Sequence, residues 1–223
     1  MASNIAYMNP ADLPEVLPLF PLPGALLLPR GLIPLNIFEP RYIAMLDEAL
    51  RTDRLIGMIQ PDPARGEDVG LPTLYTVGCA GRITQFSETG DGRYLIQLTG
   101  VCRFRIKEEL GGDAPFRRAK VDFSPFAADL TASLGEDTVD RAGILQALKD
   151  FSEAHGIGID WENVNEAANE ALVNALSMMA PFGVPEKQAL LEAPDLAARG
   201  AMLVALTEIE LAREHHDGGA KMQ

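Results

Sequence analysis

The sequence of 223 residues predicts an α+β fold in which a β-rich part precedes an α-helical part. Residues 73–88 and 93–106 are rich in β-forming side chains, and they flank Asp91-Gly92, a strong signal for a tight hairpin turn. Beyond about residue 130 the apolar side chains recur at the 3.6-residue spacing of an amphipathic helix. Because the hydrophobic period changes once along the chain, we infer two structural parts.

The charge changes at the same place in the sequence. Residues 1–125 carry 13 basic and 15 acidic side chains, whereas residues 126–223 carry 6 and 17, and the net charge is −13. An acidic C-terminal part repels phosphate backbones and anionic membranes, which makes both poor partners. We therefore predict a β subdomain with one short helix at 14–125, a helical subdomain at 130–215, and flexible termini at 1–13 and 216–223.

Residues 17–42 combine six prolines with many large apolar side chains. Proline has no N–H and a fixed φ, so this segment predicts short extended pieces joined by turns at Pro23-Gly24 and at 29–31. Most of its apolar side chains are expected in the core of the β subdomain. Any that line a groove would suit the binding of unfolded apolar segments.

The rest of the β part follows in order. A helix is predicted from Pro40, because apolar residues recur from Tyr42 at helical spacing. Strands are predicted at 55–60 and 116–126, and the two runs of the hairpin supply two more. Glycines inside the hairpin predict bulges or sharp bends, as in a small closed or half-closed barrel: Gly78, Gly81 and Gly100.

Four helices are predicted in the C-terminal part, within residues 137–156, 163–183, 184–195 and 196–216. Gly156 is expected to end the first helix, and Pro181 the second. The expected buried faces of these two helices include Ala142 and Met179.

Several of these stretches together resemble the LON N-terminal domain, the substrate-binding region of ATP-dependent Lon proteases, which also occurs alone in small bacterial proteins. The resemblance rests on "LPLFPLPGALLLPRGLIPLNIFEPRY", "VGCAGRITQF", "DGRYLIQLTGVCRFRI" and "EKQALLEAPDLAARGAML", and it runs in order over about residues 14–212. It implies a PUA-like β-barrel followed by a C-terminal helical bundle.

The catalytic parts of a Lon protease are not expected in these residues. No G-x-x-x-x-G-K-S/T phosphate loop occurs, and no glycine is followed by lysine. The three histidines, His155, His215 and His216, form no ligand-spaced cluster with Cys79 and Cys102, which are expected to be buried free thiols. We therefore predict no catalytic residue, no metal site and no cofactor.

Two readings of the "FEPRY" turn remain open. Glu39 and Arg41 can stabilise the start of the helix, with Tyr42 in the core. Alternatively, a LON-like domain could receive peptide beside this turn, and the candidate binding residues are then Phe20, Leu22, Phe38, Glu39, Arg41 and Tyr42.

The strand "VCRFRIK" predicts a basic face. Alternation places Arg103, Arg105 and Lys107 on one side, with Cys102, Phe104 and Ile106 facing the core. This face is either solvated or paired with the acidic helical part of the chain, or it forms a groove for RNA or an acidic peptide. Because no aromatic residues interleave with these cations, RNA is the weaker reading.

The expected function is that of a non-catalytic module that binds protein or peptide and resembles the substrate-recognition domain of Lon protease. The partners would be unfolded or partly folded protein segments, or a protein partner. The alternative is an RNA- or small-ligand-binding PUA-like protein. The start of the chain lacks a secretory signal pattern and no apolar run is long enough to span a membrane, so a cytoplasmic location without membrane binding is expected.

Overall fold

The computed structural model describes residues 6–68 and 71–220. Contacts within the chain divide it into two units. The first unit contains the chain up to residue 132 together with residues 182–191, and the second contains residues 133–181 and the chain from residue 192 onward. The domain boundaries that the sequence predicts, at 14–125 and 130–215, stay a prediction.

The first unit is built on a six-stranded sheet. The described strands are β1 (Val16–Pro21), β2 (Leu32–Ile37), β3 (Leu55–Ile59), β4 (Glu67–Asp68), β5 (Leu71–Pro72), β6 (Val77–Glu88), β7 (Tyr94–Leu110) and β8 (Arg118–Asp122). The large sheet has the order β2-β7-β6-β3-β1-β8, and β4 pairs with β5 separately. The strands predicted at 55–60 and on both sides of the Asp91-Gly92 turn are confirmed. The strand predicted at 116–126 is confirmed only over β8, because Ser124 already begins a 3₁₀ segment.

Strand pairing in this sheet returns on itself. β8 pairs with β1 and also with the second half of β7, so the pairings that leave β7 through β6, β3 and β1 come back to β7 at β8. Only the β1–β3 pairing is parallel among these. β2 pairs with the first half of β7 and lies at the edge of the sheet. Pro34 has no N–H to donate, and an edge strand tolerates this because no further strand on its outer side needs that bond.

The interior of the sheet is organised around the ring of Phe104 on β7. This ring is fully buried in a cluster with leucines of β1 and β3. Glycines on the neighbouring strands make room for it, because a Cβ at Gly57 or Gly78 would lie 3.0 or 2.5 Å from Phe104 Cζ. The lack of a side chain at Gly57 and at Gly78 therefore leaves the space that the Phe104 ring fills.

The proline-rich segment contributes its leucines to the same unit. Leu26, Leu27 and Leu28 are all buried. A Cβ at Gly81 would lie 2.7 Å from Leu27 Cδ2, and one at Gly100 only 1.9 Å from the carbonyl oxygen of Leu28. The register of β6 against β7 shifts beside Gly81, which confirms the predicted irregularity there.

The helix α1 (Pro40–Arg51) begins at Pro40, as predicted. Before β1, Pro10–Asp12 form a 3₁₀ helix and Leu13 is buried in the core. The rest of the predicted flexible N-terminus includes residues 1–5, which lie outside the described residues. After β8, Ser124–Leu130 form a 3₁₀ segment.

The helices α2 (Arg141–His155), α3 (Trp161–Glu166), α4 (Asn169–Met179) and α6 (Leu196–Ala220) belong to the second unit. A short 3₁₀ helix, Glu136–Thr138, precedes them. Their core contains Ile144, Leu172, Val173 and Leu196. Gly156 takes a left-handed conformation after α2, which confirms the predicted C-terminal stop. The predicted stop at Pro181 also follows the end of α4.

The single helix predicted at 163–183 is wrong. The backbone is extended at Ala167 and Ala168, which separates α3 from α4. Two expected core positions are also wrong, because Ala142 is exposed and Met179 is 80% exposed. Near-continuous apolar stretches do not define a single face, so the actual orientation of each helix depends on its packing partners.

The short helix α5 (Val184–Glu192) lies between α4 and α6 in sequence, and nearly all of it groups with the sheet. Its buried residues include Leu190 and Leu191. No helix in the described part of the chain is both long and apolar enough to cross a membrane. The predicted tail at 216–223 overlaps the end of α6, and residues 221–223 lie outside the described residues.

We predict that Gly78→Ala destabilises the protein by about 1–3 kcal/mol, because the new methyl group would overlap the Phe104 ring and the Met58 carbonyl oxygen. Urea unfolding measures the change. Gly111→Ala is the matched control, since a Cβ there meets no atom within 4 Å and the position is exposed. Equal stabilities of the two variants would contradict this account of the core.

Candidate functional site

The turn between β2 and α1 presents a charge pair. Arg41 donates from Nε to Oε2 of Glu39 at 2.9 Å, and its Nη2 lies 2.8 Å from the same oxygen. The Arg41 guanidinium also lies 4.6 Å from the centre of the Tyr42 ring. Glu39 directly precedes the helix, but its carboxylate forms no capping bond to the first turn. The two charges of this turn therefore compensate each other.

Two of the predicted binding residues form a buried aromatic pair. The ring centroids of Phe20 and Tyr42 are 4.4 Å apart, and both side chains are buried. Burial raises the pKa of the Tyr42 hydroxyl, although the nearby Arg41 opposes this shift. Leu22 is half-buried. Phe20 and Tyr42 therefore lie on the buried side of the turn and not on its surface.

Phe38 is the predicted binding residue that faces solvent most strongly, with 58% of its surface exposed. Its ring lies 5.9 Å from the guanidinium carbon of Arg93, which is located in the turn of the β6–β7 hairpin. In that hairpin, Phe86 and Tyr94 stack with ring centroids 5.3 Å apart. We call Phe86 and Tyr94 the aromatic patch, and Phe38 borders it beside Arg93.

The register of the hairpin places Phe86 and Tyr94 on the same side of the two strands. Tyr94 lies opposite Ile37 of β2 on one side and opposite Glu88 of β6 on the other. A register shift between Ile83 and Gln85 places Phe86 opposite the buried Ile96. Phe86 itself remains 46% exposed. It lies near the end of β6, where few neighbouring residues of the sheet cover its ring.

The hairpin turn is stabilised by its own polar groups. The Asp91 carboxylate accepts bonds from the Thr89 hydroxyl and, at 3.3 Å, from the backbone N–H of Arg93. Gly90 and Gly92 have φ values of 78° and 82°, which glycine adopts readily. This turn holds Arg93 beside Phe38.

Carboxylates surround the Tyr94 hydroxyl. Glu88 raises the pKa of Tyr94 most strongly, followed by partial desolvation and by the charge of Asp47 on α1. The aromatic patch therefore lies in a locally acidic environment.

The predicted basic face is wrong at Arg103. Only 3% of this residue is exposed, whereas Arg105 and Lys107 are exposed. The simple alternation of a two-faced strand does not apply there, because the 3₁₀ segment 124–130 and α5 cover the outer side of β7. Cys102 and Phe104 are buried, as predicted, and Ile106 packs against the core.

Arg103 and Asp129 form a buried ion pair with several bonds. Arg103 donates from Nε and from its backbone N–H to Oδ2 of Asp129, both at 2.9 Å, and from Nη2 to Oδ1 at 2.8 Å. Its Nη1 donates to the Leu191 carbonyl at 3.0 Å, and its guanidinium lies 4.8 Å from the centre of the Phe126 ring. Burial alone would lower the pKa of Arg103, but the bonds and charge of Asp129 outweigh it, so the pKa is raised.

Polar side chains of α5 also attach it to the sheet unit. Gln188 donates to the Val77 carbonyl at 3.1 Å, and its Oε1 accepts from Gln60 at 3.2 Å. Lys187 donates from Nζ to the Gly24 carbonyl at 2.9 Å, and burial lowers the pKa of this lysine. The "EKQALLE" stretch therefore has a structural role in the first unit.

Both thiols are buried and neither is in a disulfide, which confirms the sequence expectation. Burial raises the pKa of Cys102 to about 12, and it also raises the pKa of Cys79 well above its usual range. Such groups are poor nucleophiles at neutral pH. Among residues 6–68 and 71–220, no three His, Cys, Asp or Glu side chains are grouped as a metal site requires. The side chains of His215 and His216 lie outside the described part.

The sequence prediction missed Phe86, Arg93 and Tyr94. A signal for them exists, because Phe86 and Tyr94 flank Asp91-Gly92 at distances that bring hairpin residues near each other. No signal in the sequence identified Asp129 as the partner of Arg103, since 26 positions separate them.

The fold defined by this sheet and these helices is that of Lon N-terminal domains. The structure superposes on the N-terminal domain of Mycobacterium avium complex Lon protease with a TM-score of 0.64, at 18% identity, over 86% of this chain and 98% of that one. The Lon N-terminal domain protein from Xanthomonas campestris gives a TM-score of 0.59 at 23% identity, over 85% and 97%.

The family model of the ATP-dependent protease La (LON) substrate-binding domain matches residues 16–208. The chain belongs to this family. It is 31% identical to Lon protease 2 of Myxococcus xanthus over 206 residues, which are 89% of this chain and 24% of that protein. Lon protease 2 of Sorangium cellulosum is 30% identical over 88% of this chain and 25% of its own length. The chain thus spans about a quarter of the length of these relatives.

We predict that Arg103→Met destabilises the protein by about 3–5 kcal/mol, because it leaves the Asp129 carboxylate buried without its partner. Replacing Asp129 by leucine in the same variant should recover much of the loss. Lys107→Met is the control, since its contact with Asp122 is at the surface and at 3.6 Å, and it should cost less than about 1 kcal/mol. Chemical denaturation that ranks the two single variants equally would refute the role given to the pair.

Proposed function

We propose that this protein is a substrate-recognition module that binds unfolded or partly folded protein segments and has no ATPase or peptidase activity of its own. One observation supports this most directly. A chain of the LON substrate-binding family carries an exposed aromatic patch at the point where the "FEPRY" turn meets the β6–β7 hairpin. Exposed aromatic side chains that cluster on a soluble fold are a common mark of protein-binding surfaces.

The chemistry of the patch suits a partner without a defined shape. Phe38 and Phe86 can bury their exposed ring surface against many apolar side chains, at about 25 cal/mol per Å² removed from water. The cost of ordering an unfolded segment reduces that gain, so binding to a single short segment should be weak. Weak and shape-tolerant binding is suitable for recognising many different unfolded proteins.

The six candidate residues from the sequence contribute unequally to this proposal. Phe38 borders the patch beside Arg93, and the Glu39–Arg41 pair follows Phe38 in sequence. Phe20 and Tyr42 act as a buried support, and Leu22 adds a half-exposed apolar surface on the segment that follows β1. The proposed contact surface is therefore the aromatic patch, Phe86 with Tyr94, and Phe38 at its border.

We also propose that the first unit is a PUA-like β-barrel and that α2, α3, α4 and α6 form a helical bundle. The return of the strand pairing from β8 to β7 supports the barrel, because a closed barrel leaves no unpaired strand in the circuit. The packing of α6 with both α2 and α4 supports the bundle.

An RNA-binding role has less support. Arg103 is committed to Asp129, and Lys107 lies 3.6 Å from Asp122. Arg105 alone does not make the basic, aromatic-lined groove that single-stranded nucleic acid requires. We therefore favour protein segments over nucleic acid as the ligand.

We expect the purified protein to bind a fluorescent, unstructured peptide rich in leucine and phenylalanine, with only mild dependence on salt. Phe38→Ser with Phe86→Ser should weaken this binding by about tenfold, which corresponds to about 1.4 kcal/mol. Fluorescence anisotropy measures the affinity.

The control for this experiment replaces exposed apolar residues in the second unit, Leu134→Ser with Met179→Ser, which remove a similar amount of apolar surface. Binding that is unchanged in the patch variant, or that falls equally in both variants, would reject the patch as the site. Binding that high salt abolishes would favour the basic strand and the nucleic-acid alternative.

We also expect the 223-residue chain to hydrolyse neither ATP nor an unfolded protein such as casein, because its sequence contains no phosphate loop. Phosphate release and fluorescent casein assays provide the measurements. Turnover that follows the protein through successive columns, and that changes on substitution of one of its own residues, would refute the non-catalytic proposal.

A further inference from the structure

We infer that the aromatic patch prefers apolar segments that carry lysine or arginine beside their apolar residues. This inference rests on the proposed function and specifies the substrate class of the same surface. It follows from the charges that surround the patch and from the faces of its aromatic rings.

Two carboxylates border the patch without an ion pair of their own. Glu88 lies two residues from Phe86, so both side chains point to the same side of β6, and it lies opposite Tyr94. Asp47, on the exposed side of α1, acts on Tyr94 through its charge. Within the described part of the chain, neither carboxylate has a lysine or arginine nitrogen within 4.0 Å.

The arginines near the patch are compensated by other groups. Arg93 lies 3.3 Å from the Asp91 carboxylate through Nε, and Arg41 lies 2.8 Å from Glu39 through Nη2. Arg51, one turn along α1, donates to the backbone carbonyl of Asp47 and not to its carboxylate. Four carboxylates lie around the patch, those of Glu39, Asp47, Glu88 and Asp91, against three arginines, Arg41, Arg51 and Arg93, so the excess charge is negative.

A cation on a bound segment would meet two favourable features at once. The ammonium group of a lysine can approach Glu88 or Asp47, and it can also lie over the exposed face of Phe86 or Tyr94. A segment with acidic flanks would place like charges beside Glu88 and Asp47. The patch should therefore discriminate among apolar segments by the sign of their flanking charges.

The test uses three peptides with one leucine- and phenylalanine-rich core and with flanks of lysine, serine or glutamate. At low ionic strength, about 20 mM, the lysine-flanked peptide should bind about three- to tenfold more tightly than the serine-flanked one. The glutamate-flanked peptide should bind most weakly. A lysine-flanked peptide with a serine core should not bind measurably, since it has no apolar side chains to bury.

The ratio of lysine-flanked to serine-flanked affinity is then measured in two double variants. Asp47→Asn with Glu88→Gln should bring this ratio close to one. Asp150→Asn with Glu153→Gln removes the same charge from exposed positions on α2 and should leave the ratio unchanged. This control separates a local effect from general attraction to a protein of net charge −13.

The outcomes distinguish the two proposals. Equal affinities of the three peptides, or equal loss of preference in both double variants, would overturn this inference and leave the proposed function intact. Failure of all three peptides to bind would overturn both. A preference that survives Asp47→Asn with Glu88→Gln would overturn the assignment of the charge effect to the patch.

Discussion

The first unit depends on the buried bond between Arg103 and Asp129. One guanidinium joins β7, the segment that follows β8, and the C-terminal end of α5, because it bonds to Asp129 and to the Leu191 carbonyl. A charge buried to this extent is tolerated only when its hydrogen-bond donors are satisfied. The positions of β7, of the segment after β8 and of α5 are therefore energetically coupled through this guanidinium. The pair therefore sets the position of the covering layer on the outer side of β7.

Glycines impose the second constraint, on the inner side of the sheet. Gly57 and Gly78 admit the Phe104 ring, whereas Gly81 and Gly100 admit the leucines of the proline-rich segment. The prolines keep that segment extended, and this lets consecutive leucines reach the core. Because the interior is filled from this segment and from Phe20 and Tyr42, the aromatic residues at the hairpin end have no core position and stay at the surface.

The candidate site thus combines rigid support with an exposed, chemically simple surface. Phe38 follows an edge strand directly, and Phe86 and Tyr94 lie on a hairpin that continues past the neighbouring strand β3. The charge pairs Glu39–Arg41 and Asp91–Arg93 stabilise the two turns, and Glu88 and Asp47 leave the patch negative. Apolar burial would supply the affinity of such a surface, and charge would supply its selectivity.

The sequence by itself determined the elements whose signals are local. Proline and glycine positions, the change from period 2 to period 3.6 and the Asp91-Gly92 turn predicted extended segments for the large sheet, α1 and the end of α2, and the ordered motifs indicated the family. The tertiary structure alone decided the burial of Arg103, the attachment of α5 to the sheet unit and the meeting of Phe38 with the hairpin. These features depend on contacts between residues 26 to 163 positions apart, and local periodicity carries no information on which distant groups will cover a given face.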